Sequence, residues 1–177
     1  MRTLILALTL MLMGLRAIGQ DGAPKPSVSD APHMGMGIGL DMGGIGLRAD
    51  VPVTRRIAVL GGAGYALAGI GWNAGLQYRF MPDRKAGLFC AALYGYNAAI
   101  KLKGGSQHDA LYYGPSVGAG VELRRAHTTN FWKIALFVPF RSADFDDDLQ
   151  ELKDKGYFKD KQPPWPVLFG VAYHFEP

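Results

Sequence analysis

The residues of this chain that could do chemistry are polar side chains set at alternate positions inside otherwise apolar runs. Arg48, Asp50, Asn73, Gln77, Arg79, Asn97, Lys101, Tyr112, Ser116, Glu122, Arg124, Lys133, Arg141 and His174 all fall in the phase opposite to the large apolar residues beside them. Side chains two positions apart on an extended strand share a face, so these residues belong to one surface. Their mixture of acids, bases and amides suits a hydrogen-bonded, ion-paired polar core in which Asp50 and Glu122 compensate some of the arginines. A sharper alternative is a narrow cation-lined conduit or a pocket for a small ligand.

Other chemistries find little support. A lipid-modifying activity needs a serine or carboxylate, a histidine and an approach for lipid. No Ser-Asp arrangement is singled out around His33, His108, His127 or His174, and Ser106, His108 and Asp109 read as a polar loop tip. No catalytic residue is assigned and an enzyme is not expected. Cys90 is the single cysteine, without the paired spacing that a disulfide or a zinc site requires. It reads as a small apolar strand residue. Asp146-Asp147-Asp148 lacks the spacing of a calcium loop and reads as a solvated helix start. No metal and no cofactor is expected. The formal charge of +4 falls to about +2 once Arg2 and Arg16 are removed with a leader, too small and scattered for nucleic acid.

The elements that position these residues are strands, recognised by period-two alternation between turn residues. The clearest is the last, where Val167, Phe169, Val171, Tyr173 and Phe175 alternate with Leu168, Gly170, Ala172 and His174. One face is wholly apolar and ends on aromatics. Its length is about what a tilted strand needs to cross a bilayer core. Similar alternation runs from Ile57 to Leu67, Ile70 to Phe80, Leu88 to Leu102, Leu111 to Arg124 and Trp132 to Arg141. The Gly-rich stretch from His33 to Val51 changes phase at Asp41-Met42-Gly43-Gly44, which either a bulge or a tight hairpin would explain. As two strands it brings the total to eight, the even number that bacterial single-chain barrels carry. The predicted fold is all-β: an eight-stranded antiparallel transmembrane β-barrel, with polar side chains filling a lumen too narrow for a broad pore.

That count sends the short turns 52–56, 81–85 and 125–130 to a periplasmic rim and the connections 103–110 and 142–165 to the outside. Outward aromatics then sort into two girdles: Trp72, Tyr94, Tyr96, Tyr113 and Phe140 at the outer rim, and Tyr78, Phe80, Trp132, Tyr173 and Phe175 at the periplasmic one. Belts of this kind mark membrane interfaces. Pro115 and Pro139 lack a donor and fall in neighbouring strands, which predicts a bulge or frayed rim between them. In the last extracellular loop, Asp144 and Asp146–Asp148 precede Leu149-Gln-Glu-Leu152 and then Lys153 and Lys155. Acids at the start and bases at the end predict one short helix, with Phe145, Leu149 and Leu152 on one face and a position over the barrel mouth. Trp165 is expected to anchor the loop's return at the outer interface.

Ahead of the barrel, Arg2 and the apolar run Leu4–Met13 are followed by Ala17-Ile18-Gly19. A basic start, a run of roughly ten apolar residues and small residues at the cut predict a signal peptide over 1–19, cleaved near Gly19-Gln20. Residues 20–32, rich in proline, read as a flexible periplasmic leader, and 33–177 as the single barrel domain.

The closing aromatic strand, the strand number and the paired girdles together resemble the small OmpA/OmpX-type outer-membrane β-barrel family. The resemblance implies an integral protein of a Gram-negative outer membrane, of structural, adhesive or binding role. Its partners would be outer-membrane lipid and, through the C-terminal strand, the barrel-assembly machinery. A narrow porin-like channel for ions or small solutes is the chief rival, and a lipid-modifying barrel enzyme a second. The chain departs from OmpA itself in lacking a recognisable peptidoglycan-binding domain.

Overall fold

The computed structural model describes residues 31–66, 68–100, 110–125, 128–154 and 165–177. The expected signal peptide, most of the leader, Lys101, His108 with its loop, His127 and residues 155–164 lie outside the described residues. Eight strands form one closed sheet: β1 (His33–Gly39), β2 (Gly44–Pro52), β3 (Ile57–Ala66), β4 (Gly69–Arg79), β5 (Ala86–Ile100), β6 (Ala110–Arg124), β7 (Phe131–Pro139) and β8 (Leu168–Phe175). Each is antiparallel to the next, and β8 returns to β1 through pairs such as Met36 with Tyr173 and Gly39 with Gly170. Closure leaves no sheet edge with unpaired backbone groups. One helix, α1 (Ala143–Asp154), interrupts the path from β7 to β8.

Alternation becomes burial. Along β7, Phe131, Lys133, Ala135, Phe137 and Pro139 are buried while the residues between them are exposed; Phe137 is 0 % accessible and its neighbour Leu136 58 %. The hairpin ends are chemically specified as well. At the β2–β3 turn the Thr54 hydroxyl accepts from the backbone N–H of Ile57 at 2.9 Å and of Arg56 at 3.2 Å, the local bonding that favours threonine in turns.

The phase change at 41–44 is a hairpin, and its tip folds inward. Leu40–Met42 form a short 3-10 turn in which all three side chains are buried. Gly43 follows at φ 66°, a left-handed conformation that glycine adopts without steric cost. Space for the turn comes from glycines facing it. A Cβ at Gly62 would collide with the Asp41 carbonyl oxygen, and one at Gly43 with that of Gly71. Asn73 Nδ2 then donates to the Leu40 carbonyl at 2.6 Å. Gly62→Ala is therefore expected to displace the turn and cost about 1–3 kcal/mol, the range for overpacking a filled site. Urea unfolding of the refolded barrel measures it, and an unchanged midpoint would show that the turn has room to yield.

Two expectations about strand irregularities are corrected. Between β6 and β7 the register runs without a break through Ser116 opposite Pro139, because Pro139 ends its strand and its missing donor falls at the rim. The break lies instead between β5 and β6, where the pairing shifts between Tyr96 and Ala98. Gly95 precedes it at φ 152°. The shift rotates the end of β5, so Ala98 becomes buried together with Tyr112 and Phe145. Tyr96, expected in the outer girdle, is half-buried and packs against the interior cluster of Phe89, Leu93 and Phe137.

The helix forms where acids and bases predicted it. Ser142, unremarked in the sequence, caps it: the Phe145 amide donates to the Ser142 carbonyl at 3.1 Å and more weakly to its hydroxyl. Phe145 packs edge-on against Tyr112, ring centroids 5.1 Å apart. The Tyr112 hydroxyl donates to Asp148 at 2.5 Å. These contacts hold α1 against the β5–β6 hairpin at the loop-bearing rim. The side chain of Leu152 lies outside the described residues.

Candidate functional site

The polar phase of the strands converges inside the barrel. Arg48 and Asp50 on β2, Asn73, Gln77 and Arg79 on β4, Asn97 on β5, Tyr112, Ser116, Glu122 and Arg124 on β6, Lys133 on β7 and His174 on β8 are all buried. Most of them form one connected network. Arg48 Nε donates to Asp50 at 2.6 Å and its Nη2 to Gln77 Oε1 at 2.8 Å, while its Nη1 pairs with Asp41. Lys133 Nζ pairs with Asp50, donates to the same Gln77 oxygen at 2.9 Å and lies 3.5 Å from Glu122. Gln77 Nε2 donates to Glu122 at 2.7 Å. One amide thus joins two ionic clusters, with its oxygen on the Arg48–Asp50 side and its nitrogen on the Glu122 side.

Glu122 is the most heavily used acceptor. Arg79 Nε reaches Oε1 at 3.2 Å and Arg124 Nη2 pairs with Oε2. Arg124 also donates to the Pro82 carbonyl, which ties the network to the β4–β5 turn. Burying a single ion costs several kcal/mol, and the cost is offset only when partners surround it. Here each carboxylate meets at least one cation.

The interior is not uniformly polar. Leu40, Leu60, Phe89, Ala91, Leu93, Ala135 and Phe137 pack into one apolar cluster. Rings and charges meet at its boundary, where Lys133 Nζ stands 5.3 Å from the centre of Phe89 and 5.6 Å from that of Phe131. The room for these large groups comes from β1. After His33 its inward positions are Gly35, Gly37 and Gly39, and a Cβ at Gly35 would strike the His174 imidazole.

Several assignments differ from the sequence reading. Arg141 lies beyond the end of β7, partly exposed, and donates to the Trp165 carbonyl at 2.5 Å instead of joining the interior. Burial draws its guanidinium below the ordinary arginine value, with Asp146 opposing. Trp165 itself is exposed. Two interior residues escaped the sequence reading. Asp41 sat in a presumed turn, and nothing local signals that a turn will fold inward. His33 begins β1 in phase with Gly35 and could have been found from that phase; it is buried and packs edge-on against Phe131 at 5.2 Å. No protein-family model, curated protein or solved structure matches this chain. What the chain does is therefore argued from its own geometry.

His174 lies flat on Phe131, 4.9 Å between centres, with neither ring nitrogen hydrogen-bonded. Its Nδ1 is 3.7 Å from Asp50, and Asp50 is held by Arg48 and Lys133. No group of three or more metal-ligating side chains occurs among the described residues.

Outside, the aromatics gather at both rims. Trp72 and Tyr113 meet at 5.7 Å toward the loop-bearing rim, and Tyr94 and Phe140 are exposed nearby. Tyr65 and Phe169, omitted from the expected belts, are also exposed on the outer wall. At the other rim Tyr78 packs on Phe80 and Trp132 on Tyr173, both at 5.2 Å, with Phe175 closing β8. Tyrosine hydroxyls there reach polar turns: Asn130 Nδ2 donates to Tyr173 at 2.9 Å and Arg56 to Tyr78 at 3.3 Å.

Proposed function

We propose that this protein is an integral outer-membrane β-barrel with a side-chain-filled lumen, structural, adhesive or binding in role. One observation carries the reading. Every charged residue of the eight strands, namely Arg48, Asp50, Arg79, Glu122, Arg124 and Lys133, is buried, while Ile45, Leu47, Leu76, Trp132, Ile134, Leu136 and Phe169 are exposed. A barrel in water has the reverse polarity. In hydrocarbon, outward apolar and enclosed polar side chains are the stable arrangement. A nine-residue strand rising ~3.3 Å per residue and tilted ~40° spans about 23 Å, close to the apolar band of outer-membrane barrels. The rim aromatics suit an interface, with ring bodies in the apolar layer and hydroxyls among polar turns.

Across β7, β8 and β1 the outer wall has a shallow groove lined by Met36, Ile38, Trp132, Phe169, Val171 and Tyr173. An acyl chain fits such a surface. The leader expected over 1–19 and the aromatic end of β8 support export and insertion by the barrel-assembly machinery. The network and the apolar cluster fill the bore, which favours a sealed barrel over a conduit. Refolding into liposomes that carry acyl-brominated lipids tests the membrane reading. Emission from Trp72 and Trp132, which are 46 % and 51 % exposed, is expected to be strongly quenched. Emission unaltered by the brominated chains would rule out lipid contact.

A further inference from the structure

Among the described residues the barrel interior holds four full cations, Arg48, Arg79, Arg124 and Lys133, against three carboxylates, Asp41, Asp50 and Glu122. The excess can be located. Arg48 engages all three of its guanidinium nitrogens, and Arg124 engages both terminal ones. Lys133 donates to Asp50 and Gln77. Arg79 engages only Nε; its Nη1 and Nη2 are sealed from solvent and meet no acceptor.

The carboxylate that Arg79 already uses has no free capacity on that side. Glu122 Oε1 receives Gln77 and Arg79 Nε, and Oε2 receives Arg124. His33, which feels the charges of Arg79 and Arg124 and, with opposite sign, of Glu176 and Asp50, also has a sealed and unpartnered Nδ1. A buried guanidinium edge without an acceptor costs the desolvation of two charged donor groups. The arrangement persists at least cost if an anion sits against that edge, where two N–H groups converge.

We infer that the barrel binds one small inorganic anion of halide type against Nη1 and Nη2 of Arg79, inside the end of the lumen where β1 begins and β8 ends. A single negative charge restores neutrality to the described interior. The enclosure of Arg79, 1 % exposed, selects for small size over phosphate or an organic acid. The inference rests on the interior alone and holds whether the outer wall faces lipid or detergent.

The test uses the full mature chain refolded in detergent, in sodium chloride, bromide or gluconate at equal ionic strength. A ligand that binds only the folded state raises the unfolding midpoint, so the midpoint in chloride and bromide is expected several degrees above that in gluconate. Arg79→Gln is expected to abolish the difference. In crystals grown with bromide, an anomalous peak should stand beside Arg79, which decides the matter even if the variant fails to fold. Equal midpoints in all three salts, a salt effect that persists in Arg79→Gln, or water alone beside Nη1 and Nη2 would overturn the assignment.

Discussion

Glu122→Gln is expected to destabilise the barrel by about 3–5 kcal/mol, the usual cost of breaking a buried ion pair from one side. The substitution preserves shape and removes charge. Arg79 and Arg124 would lose their carboxylate, and Lys133, 3.5 Å away, part of its compensation. The new amide would also present donors to the guanidinium groups, where only acceptors are useful. Every 1.4 kcal/mol is a factor of ten in the unfolding equilibrium, so the loss corresponds to roughly two to three and a half orders of magnitude. Urea titration of barrels refolded in bilayers, followed by tryptophan emission, measures it. A loss under about 1 kcal/mol would mean that water solvates the cations and that the interior is wetter than its packing indicates. The double substitution Arg79→Gln with Glu122→Gln should recover part of the loss, because groups within one network do not act additively.

The second large effect concerns the outer wall. Leu136→Arg, near the middle of β7 and 58 % exposed, is expected to cost about 2–4 kcal/mol in a bilayer, the depth-dependent cost of a cation on a lipid face. On a water-exposed wall the same change would fall within about 0.5 kcal/mol of neutral. Val53→Arg, in the exposed turn between β2 and β3, provides the control, since near an interface the cost falls to ~0–1 kcal/mol. Equal, negligible losses at both positions would refute a hydrocarbon surround. This outcome is separable from the Glu122 result, because one variant probes the wall from outside and the other from within.

The two faces were legible in the sequence because pleating is a local property. Whatever a strand pairs with, its successive side chains point to opposite sides. Thus Lys133 could be assigned to the same side as Phe137, and Leu136 to the other, from β7 alone. Alternation and turn residues left seven or eight strands, and the even number expected of a closed barrel decided for eight; the inward phase of His174 between Tyr173 and Phe175 needed only the alternation.

Which residues would meet was not legible. Asp50 and Lys133 lie 83 positions apart, and only closure of β8 onto β1 with a specific register brings them together. Tyr96 was misassigned because the strand is irregular on both sides of it, with Gly95 at φ 152° before and the shifted pairing after, and no residue type announces such irregularity unambiguously. Asp41 was passed over because the inward fold of its turn depends on what faces it. Gly62, Gly71 and Gly170 come from three other strands, and only their joint lack of side chains opens the space that Leu40–Met42 occupy.

By itself the sequence determined which surface a side chain in a regular stretch of strand belongs to, since strand geometry settles that one residue at a time. The tertiary structure decided the partners: Gln77 linking Arg48 to Glu122, the filled bore, and the guanidinium edge of Arg79 left without an acceptor. Partnership depends on distances across the lumen, set by register and closure acting over the whole sheet, and no local pattern carries that information.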